Sequence, residues 1–340
     1  MLSCALPPVL LSRSAMNITI LDDYQDAVRG LACFAKLAGH QVTVHHDTVS
    51  DPDALVARLA DAEAVVLIRE RTALPAAVIA RLPRLKIVGQ TGAAGKHIDI
   101  EACTRAGIVV CQGSGAPDAP AELTWGLVLA AVRHIALEDR RLREGRWQST
   151  PTLGRSLKGM TLGIYGYGKI GALVAGYGKA FGMKVIAFGR EASARRALAD
   201  GVEVVADRKR IFSEPDVLSM HLRLAPDTRG IVTRDDLALM KPDAVFVNTS
   251  RAELVGPRAL EVALASGRPG FAALDVFESE PILGASHPLL KMDNVVATPH
   301  LGYVTAGNYA LYFGTAFDNI LAVAAGQPAN VVNPEALGKR

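Results

Sequence analysis

The stretch from Thr161 to Phe181 constrains the fold more than any other part of the chain. An apolar run, Thr161 to Tyr165, passes without a linker into Gly166-Tyr-Gly168-Lys169-Ile170-Gly171, and an apolar-periodic segment follows from Ala172 to Phe181. A strand that turns through closely spaced glycines into a helix opens a βαβ unit. The first glycine makes the tight turn, the second lets a ligand approach the backbone, and the third lets helix and strand pack closely. Unpaired N–H groups and the positive dipole end at the helix N-terminus favour a phosphate. A dinucleotide is the expected ligand of this loop.

Six further strand-like runs follow at helix-length spacing: Lys184 to Phe188, Glu203 to Val205, Asp216 to Leu222, Asp243 to Val247, Gly270 to Asp275 and Asn294 to Ala297. With Thr161 to Tyr165 they make seven, enough for a complete doubly wound sheet. Upstream, Ile18 to Leu21, Val42 to Val44, Ala64 to Ile68, Lys86 to Val88 and Ile108 to Val110 alternate in the same way, the pattern of a second mostly parallel sheet. Gly113 to Pro117 and Pro120 interrupt that series, and an apolar helix over Ala121 to Leu137 carries the chain across. After Pro299, residues Leu301 to Ala325 read as one helix too apolar to stand alone, so it is expected to return to the first domain.

The 340 residues suit two domains of ~150 each. The expected fold class is α/β, with a Rossmann doubly wound parallel sheet inserted into a flavodoxin-like α/β substrate domain. Residues 16–115 plus 301–340 form the substrate domain and 116–300 the dinucleotide-binding domain. Residues 1–15 carry no charge before Arg13 and hold Pro7-Pro8, a poor signal peptide; they read as a disordered extension.

Composition excludes several classes. There are 37 basic and 34 acidic residues, a net charge of +3, scattered without a run of one sign, so nucleic acid is not an expected partner. The longest mostly apolar stretch, Leu123 to Val132, falls short of the roughly 20 residues that a bilayer needs, so no membrane partner is expected. Cys4, Cys33, Cys103 and Cys111 form no CxxC pair and read as reduced thiols of a cytoplasmic protein. His45-His46-Asp47 lacks further ligands at suitable spacing and reads as surface, with no metal expected.

At the end of the run Lys184 to Phe188, where an NAD enzyme usually places a carboxylate for the ribose hydroxyls, this chain has Gly189-Arg190. Nothing there repels a 2′-phosphate, and a guanidinium can meet it, with Arg195 and Arg196 close behind; NADP is favoured over NAD. Three later strand ends deliver Arg251 in Asn248-Thr-Ser-Arg251, Glu280 in Asp275-Val-Phe-Glu-Ser-Glu280-Pro281, and His300 in Thr298-Pro-His300 to one rim. In open α/β sheets that rim faces the ligand crevice.

In combination and order, GYGKIG, NTSR, DVFESEP and TPH resemble the D-isomer-specific 2-hydroxyacid dehydrogenase family, whose members include phosphoglycerate dehydrogenases and glyoxylate/hydroxypyruvate reductases. Ala121-Glu-Leu-Thr124 and Asn330-Val-Val-Asn-Pro334 extend the resemblance to about residues 17–335. It implies an oxidoreductase moving a hydride between a nicotinamide cofactor and a small 2-oxoacid or D-2-hydroxyacid, in two domains closing over a cleft. Arg251 would bind the substrate's carboxylate and carbonyl oxygen and His300 would be the acid/base, with Glu280 as its carboxylate partner. Imidazole, titrating near ~6.5 as a residue type, suits proton delivery to a nascent alkoxide, and a guanidinium fork suits a planar oxoacid. Asp275 would hold the nicotinamide carboxamide. The resemblance adds Lys169, Ile170, Leu222, Arg223, Thr228, Thr249 and Ser250 to the cofactor-binding set of Gly166, Gly168, Gly171, Gly189 and Arg190. Ala94 and Gly95, in Thr91-Gly-Ala-Ala-Gly95, would bind the substrate carboxylate through backbone N–H groups, with Arg69 as a further substrate contact. The apolar helix and residues Arg140 to Trp147 correspond to the family's dimer interface, a use that fits Trp125 and Trp147. Two departures stand out: Ala252 in place of the usual glycine after the arginine, and Gly189-Arg190 in place of the usual aspartate. Alternative readings are a nucleotide-dependent sensor like the C-terminal-binding corepressors, and a formate dehydrogenase, whose glutamine is replaced here by Glu280.

Overall fold

The structure, a computed structural model, describes residues 15–339. The expected extension falls outside them except for Ala15, as does Cys4. The chain forms two compact units, one running to Gly115 and resuming at Ala306, the other spanning Ala116–Thr305. The return to the first unit thus falls five residues later than the sequence pattern placed it.

The first unit is built on a parallel sheet of β1 (Asn17–Ile20), β2 (Gln41–Val44), β3 (Ala64–Ile68), β4 (Ile87–Thr91) and β5 (Val109–Cys111), in the order β2-β1-β3-β4-β5. Every residue of β3 and β4 is buried, as expected of parallel strands covered on both faces. The helix Ala306–Ala324 lies on β4. It sits close because position 89 has no side chain: a Cβ on Gly89 would come within 2.9 Å of Ile320 Cδ1. Asn333, in the motif near the C-terminus, accepts the Val110 N–H (2.8 Å) and donates to Ile108 O (2.9 Å), so its amide extends the edge of β5.

The second unit holds a parallel sheet of β6 (Thr161–Tyr165), β7 (Lys184–Phe188), β8 (Glu203–Val204), β9 (Val217–Met220), β10 (Val245–Asn248), β11 (Phe271–Leu274) and β12 (Val295–Ala297), ordered β12-β11-β10-β9-β6-β7-β8. The α/β class and the parallel topology read from the sequence hold in both units. The direction of strand addition reverses between β6 and β9, and ligands of open α/β sheets bind at such a switch point. Asn248, Leu274 and Ala297 stand side by side in register, so the segments after β10, β11 and β12 emerge from neighbouring strands. One face packs on the helices Asp118–Val132 and Lys169–Ala180; the other is filled by Phe212, Phe246, Leu237 and Met240.

The single helix expected over Ala121 to Leu137 is instead two, Asp118–Val132 and Ile135–Arg143. His134 between them adopts φ 54°, and a left-handed residue cannot continue a right-handed helix. Its buried ring packs on Phe271 with centroids 5.2 Å apart. Trp125 is also corrected: it is buried inside the unit against Phe181 (5.0 Å) and Tyr177 (6.1 Å). By contrast, the helix Ile135–Arg143 buries no residue, and Ile135, Leu142, Trp147 and Leu153 are exposed around it. Among the described residues, no helix is long and apolar enough to cross a membrane.

Candidate active site

The glycine loop after β6 has a separate steric reason at its first and third glycines and open space at the second. Gly166 has φ 98°, and a Cβ there would lie 2.7 Å from His221 O; a Cβ on Gly171 would lie 2.5 Å from Gly166 O. Over Gly168 nothing stands within 4 Å of where a Cβ would be. Gly168 begins the helix Lys169–Ala180, with no side chain capping it and no acidic residue in the first turn. A glycine cradle over an uncapped helix start, at the reversal of strand order, fits a dinucleotide's pyrophosphate. Tyr167, between the first two glycines, is turned inward. Its hydroxyl donates to Asp200 Oδ2 (2.9 Å), its N–H to Ser193 Oγ (2.6 Å), and its carbonyl accepts Arg196 Nε (3.2 Å).

Beyond β7, Arg190 is exposed and paired with Asp227, and Arg195 is paired with Glu191. In the loop after β9, Leu222 Cδ2 would touch a Cβ on Gly166 (2.9 Å). Thr228 Oγ1 donates to Arg223 O (2.8 Å) and accepts the Ala225 N–H (2.8 Å), so this buried hydroxyl shapes the loop itself. His221 Nε2 faces Ser219 Oγ at 2.9 Å, and burial pushes its imidazole down to about 4.

The segment after β10 is braced by its own asparagine. Asn248 Oδ1 accepts the Ser250 N–H (3.1 Å), and Nδ2 donates to Arg251 O (2.9 Å). Ser250 Oγ donates to Met220 O (2.8 Å). Thr249 Oγ1 meets Thr124 Oγ1 at 2.7 Å, and Thr124 donates onward to Pro120 O (2.7 Å). Half-buried Arg251 donates from Nη1 to Ser250 O (2.7 Å), while Glu253 faces Arg229 at 3.7 Å. Ala252, the departure after the arginine, is buried.

After β11 and β12 the polar contacts converge. His300 Nδ1 lies 2.6 Å from Glu280 Oε2, and Glu280 Oε1 accepts the Phe277 N–H at 2.8 Å. The carboxylate is thereby oriented by backbone while it orients the imidazole, and Nε2 is the ring nitrogen that remains for chemistry. The ring packs edge-on against Tyr303, 5.6 Å away. Asp275 is fully buried. Its Oδ1 accepts Thr298 Oγ1 (2.6 Å) and the Leu301 N–H (2.7 Å), and its Oδ2 the Gly302 N–H (2.8 Å). Burial pushes this carboxyl above the usual range, against the pull of those donors and of His300. Three donors thus clamp the turn that carries His300, which itself has φ 53°.

In the first unit, Gly92 has φ 78°, and a Cβ on it would lie 2.1 Å from Arg69 Nη1. Arg69, at φ 53°, is fixed by its N–H to Thr91 Oγ1 (2.9 Å) and by Gln90 Nε2 to its carbonyl (2.9 Å), with its guanidinium 5.6 Å over Tyr312. The Ala94 N–H is donated to Gln112 Oε1 at 3.1 Å. A Cβ on Gly95 would lie 3.2 Å from His97 Nδ1. Sequence reasoning did not bring Asp23 and Asp26 to His46, yet their ligand atoms lie within 4.8 Å of one another. Arg29 approaches Asp26 (3.2 Å) and His46 (3.4 Å) there, and Asp23 accepts the Ala27 and Val28 N–H groups.

Sequence reasoning also did not single out Thr124 for its hydroxyl, Ser193, Gln90, or the clamping of the TPH turn by Asp275. Of these, Thr124 and Asp275 carried a signal, as parts of the quoted Ala121–Thr124 and Asp275–Pro281 motifs.

A doubly wound sheet with a glycine-lined cradle at its switch point, and an imidazole–carboxylate pair three and four strands further along the rim, defines a nucleotide-binding fold equipped for acid/base chemistry. Residues 125–302 match the family model for the D-isomer specific 2-hydroxyacid dehydrogenase, NAD binding domain. The chain is 40% identical over 272 residues to the glyoxylate reductase of Aeropyrum pernix, covering 77% of this chain and 81% of that protein. It is 39% identical over 297 residues to the D-3-phosphoglycerate dehydrogenase of Methanocaldococcus jannaschii, covering 84% of this chain but only 56% of that longer protein. A crystal structure of a phosphoglycerate oxidoreductase from Vibrio cholerae O395 superposes with TM-score 0.89 at 50% identity, covering 92% of this chain and 99% of the other. The chain belongs to the D-isomer-specific 2-hydroxyacid dehydrogenase family.

Proposed function

We propose that the chain is an NAD(P)-dependent oxidoreductase interconverting a small 2-oxoacid and its D-2-hydroxyacid. The observation that carries this reading is the 2.6 Å His300–Glu280 pair on the same sheet as an uncapped glycine cradle. The nicotinamide ring, when bound, supplies or takes up the hydride at the substrate's 2-carbon. His300, held through Nδ1, gives a proton from Nε2 to the developing alkoxide oxygen or takes it back in the reverse direction. Arg251 binds the carboxylate and the 2-oxygen, which polarises the carbonyl.

The N–H groups of Ala94 and Gly95 bind the substrate carboxylate, Ala94 exchanging its Gln112 acceptor for it, and Arg69 contacts the substrate. Gly166, Gly168, Lys169, Ile170 and Gly171 hold the pyrophosphate; Leu222, Arg223, Thr228, Thr249 and Ser250 line the rest of the cofactor path. Asp275 keeps one acceptor position beyond the three in use, enough for the carboxamide. With no carboxylate at Gly189 and Arg190 alongside, NADP is favoured over NAD. The reduced thiols Cys33, Cys103 and Cys111 fit a cytoplasmic protein. The exposed apolar residues around the helix Ile135–Arg143 fit a homodimer, to be checked by sedimentation.

Turnover decides the reading. The purified protein, with NADPH or NADH, is expected to reduce at least one of glyoxylate, hydroxypyruvate, pyruvate and phosphohydroxypyruvate. No turnover of any of them with either cofactor would overturn it.

A further inference from the structure

Position 189 follows β7, where a chain selective for the unphosphorylated dinucleotide carries its carboxylate. In this chain the space for such a side chain is already filled. A Cβ on Gly189 would lie 2.8 Å from Ser193 Oγ and 3.1 Å from Ser193 Cβ, closer than side chains pack without displacing one another. Ser193 is not free to swing away. It lies in the first turn of the helix Glu191–Ala199, and its Oγ accepts the Tyr167 N–H at 2.6 Å. Tyr167 stands between the first two glycines of the cofactor loop, and a Cβ on Gly189 would also approach Gly166 Cα at 3.8 Å. Absence of a side chain at 189, a hydroxyl at 193 and an amide at 167 therefore form one packing unit that joins the end of β7 to the glycine loop.

The hydroxyl has a direction as well as a place. Having accepted from Tyr167, it retains its own proton to give. The oxygens of a 2′-phosphate accept that proton in a charge-assisted bond stronger than one to a neutral ribose hydroxyl.

We infer that Ser193, together with Arg190, sets which dinucleotide this chain accepts: its hydroxyl donates to the 2′-phosphate, and its position bars the carboxylate that would select the unphosphorylated form. The inference rests on the reading that NADP is favoured. It implies that cofactor preference cannot be reversed at position 189 alone, because an aspartate there collides with the serine that shapes the loop.

The test compares wild type, Ser193→Ala, Gly189→Asp and the double variant, by fluorescence titration with NADP⁺ and NAD⁺ and by the Tm of each protein without cofactor. Ser193→Ala is expected to weaken both ligands, because Tyr167 loses its acceptor, and to lower the NAD⁺:NADP⁺ ratio of Kd values by about tenfold. Gly189→Asp is expected to lower Tm and bind neither ligand well. The double variant is expected to recover Tm and to prefer NAD⁺. An unchanged Kd ratio in Ser193→Ala overturns the inference. So does a Gly189→Asp protein that keeps its Tm and takes NAD⁺ as well as the double variant does, or a double variant as damaged as the single. A wild type that prefers NAD⁺ sinks the NADP reading, while the shift on Ser193→Ala and the recovered Tm still decide the inference.

Discussion

Beyond β11 and β12, the turn that carries His300 is held from inside the protein by a buried carboxylate, whereas beyond β7 the charged side chains meet one another in solvent. Asp275 is fully buried and takes three donors, and Glu280 spans a backbone N–H and an imidazole. Arg190–Asp227 and Arg195–Glu191 are instead exposed pairs, of a kind that contributes roughly 0–1 kcal/mol. The contrast teaches where each property resides. The turn behind the proposed proton-transfer pair is locked by buried bonds that cannot be altered without cost, and the exposed charges beyond β7 can change without disturbing the fold.

The contrast can be broken from either end. The largest effect is expected at His300: His300→Ala should lower kcat by about a thousandfold while NADP⁺ still binds, and unchanged turnover would remove His300 from the chemistry. Next is the clamp beneath it. In Asp275→Asn one acceptor becomes a donor facing donors, a change expected to cost about 3 kcal/mol of stability and to lower kcat as the turn loosens. A variant with native Tm and native kcat would show that the buried bonds are not what fixes the turn.

An intermediate effect is expected at His221, beside the loop and between the two regions. Its folded pKa of about 4 lies below the ~6.5 of an unfolded histidine, so the unfolded chain binds more protons across that window. Stability should therefore fall as pH drops from about 6.5 towards 4, by about 2 kcal/mol at pH 5. His221→Asn removes that contribution, and denaturation curves at pH 7.5 and pH 5 that shift as much as wild type's would refute it. The smallest effect belongs to the exposed edge. Arg190→Ala should leave stability within ~0.5 kcal/mol and weaken NADP⁺ about tenfold relative to NAD⁺; a large drop in Tm would erase the distinction between the two regions.

The parallel sheets were legible because the residues of β3 and β6 are apolar runs of strand length followed by helix-length segments, a pattern dictated by burial on both faces. The glycine loop and the order of Arg251, Glu280 and His300 were legible because they are local or lie at strand ends. The break at His134 was not, since histidine carries no turn signal and its left-handed backbone is tied to a distant packing partner, Phe271. Trp125 could face inward or outward on an apolar helix until Tyr177 and Phe181 were placed beside it. The roles of Asp275 and Ser193 as acceptors depend on donors 23 and 26 residues away, a relation that spacing in a single chain does not encode.

Gly89 has a consequence for synthesis on the ribosome. The sheet of the first unit is complete once β5 has been made, but the helix whose Ile320 closes over Gly89 is translated only after the whole of Ala116–Thr305. Throughout that interval β4 lacks the helix that covers it, so the inserted unit can finish folding before the unit that precedes it. The last helix thus acts as the late closing step of the first unit's core, and a nascent chain stalled before Ala306 would present an open apolar sheet to chaperones.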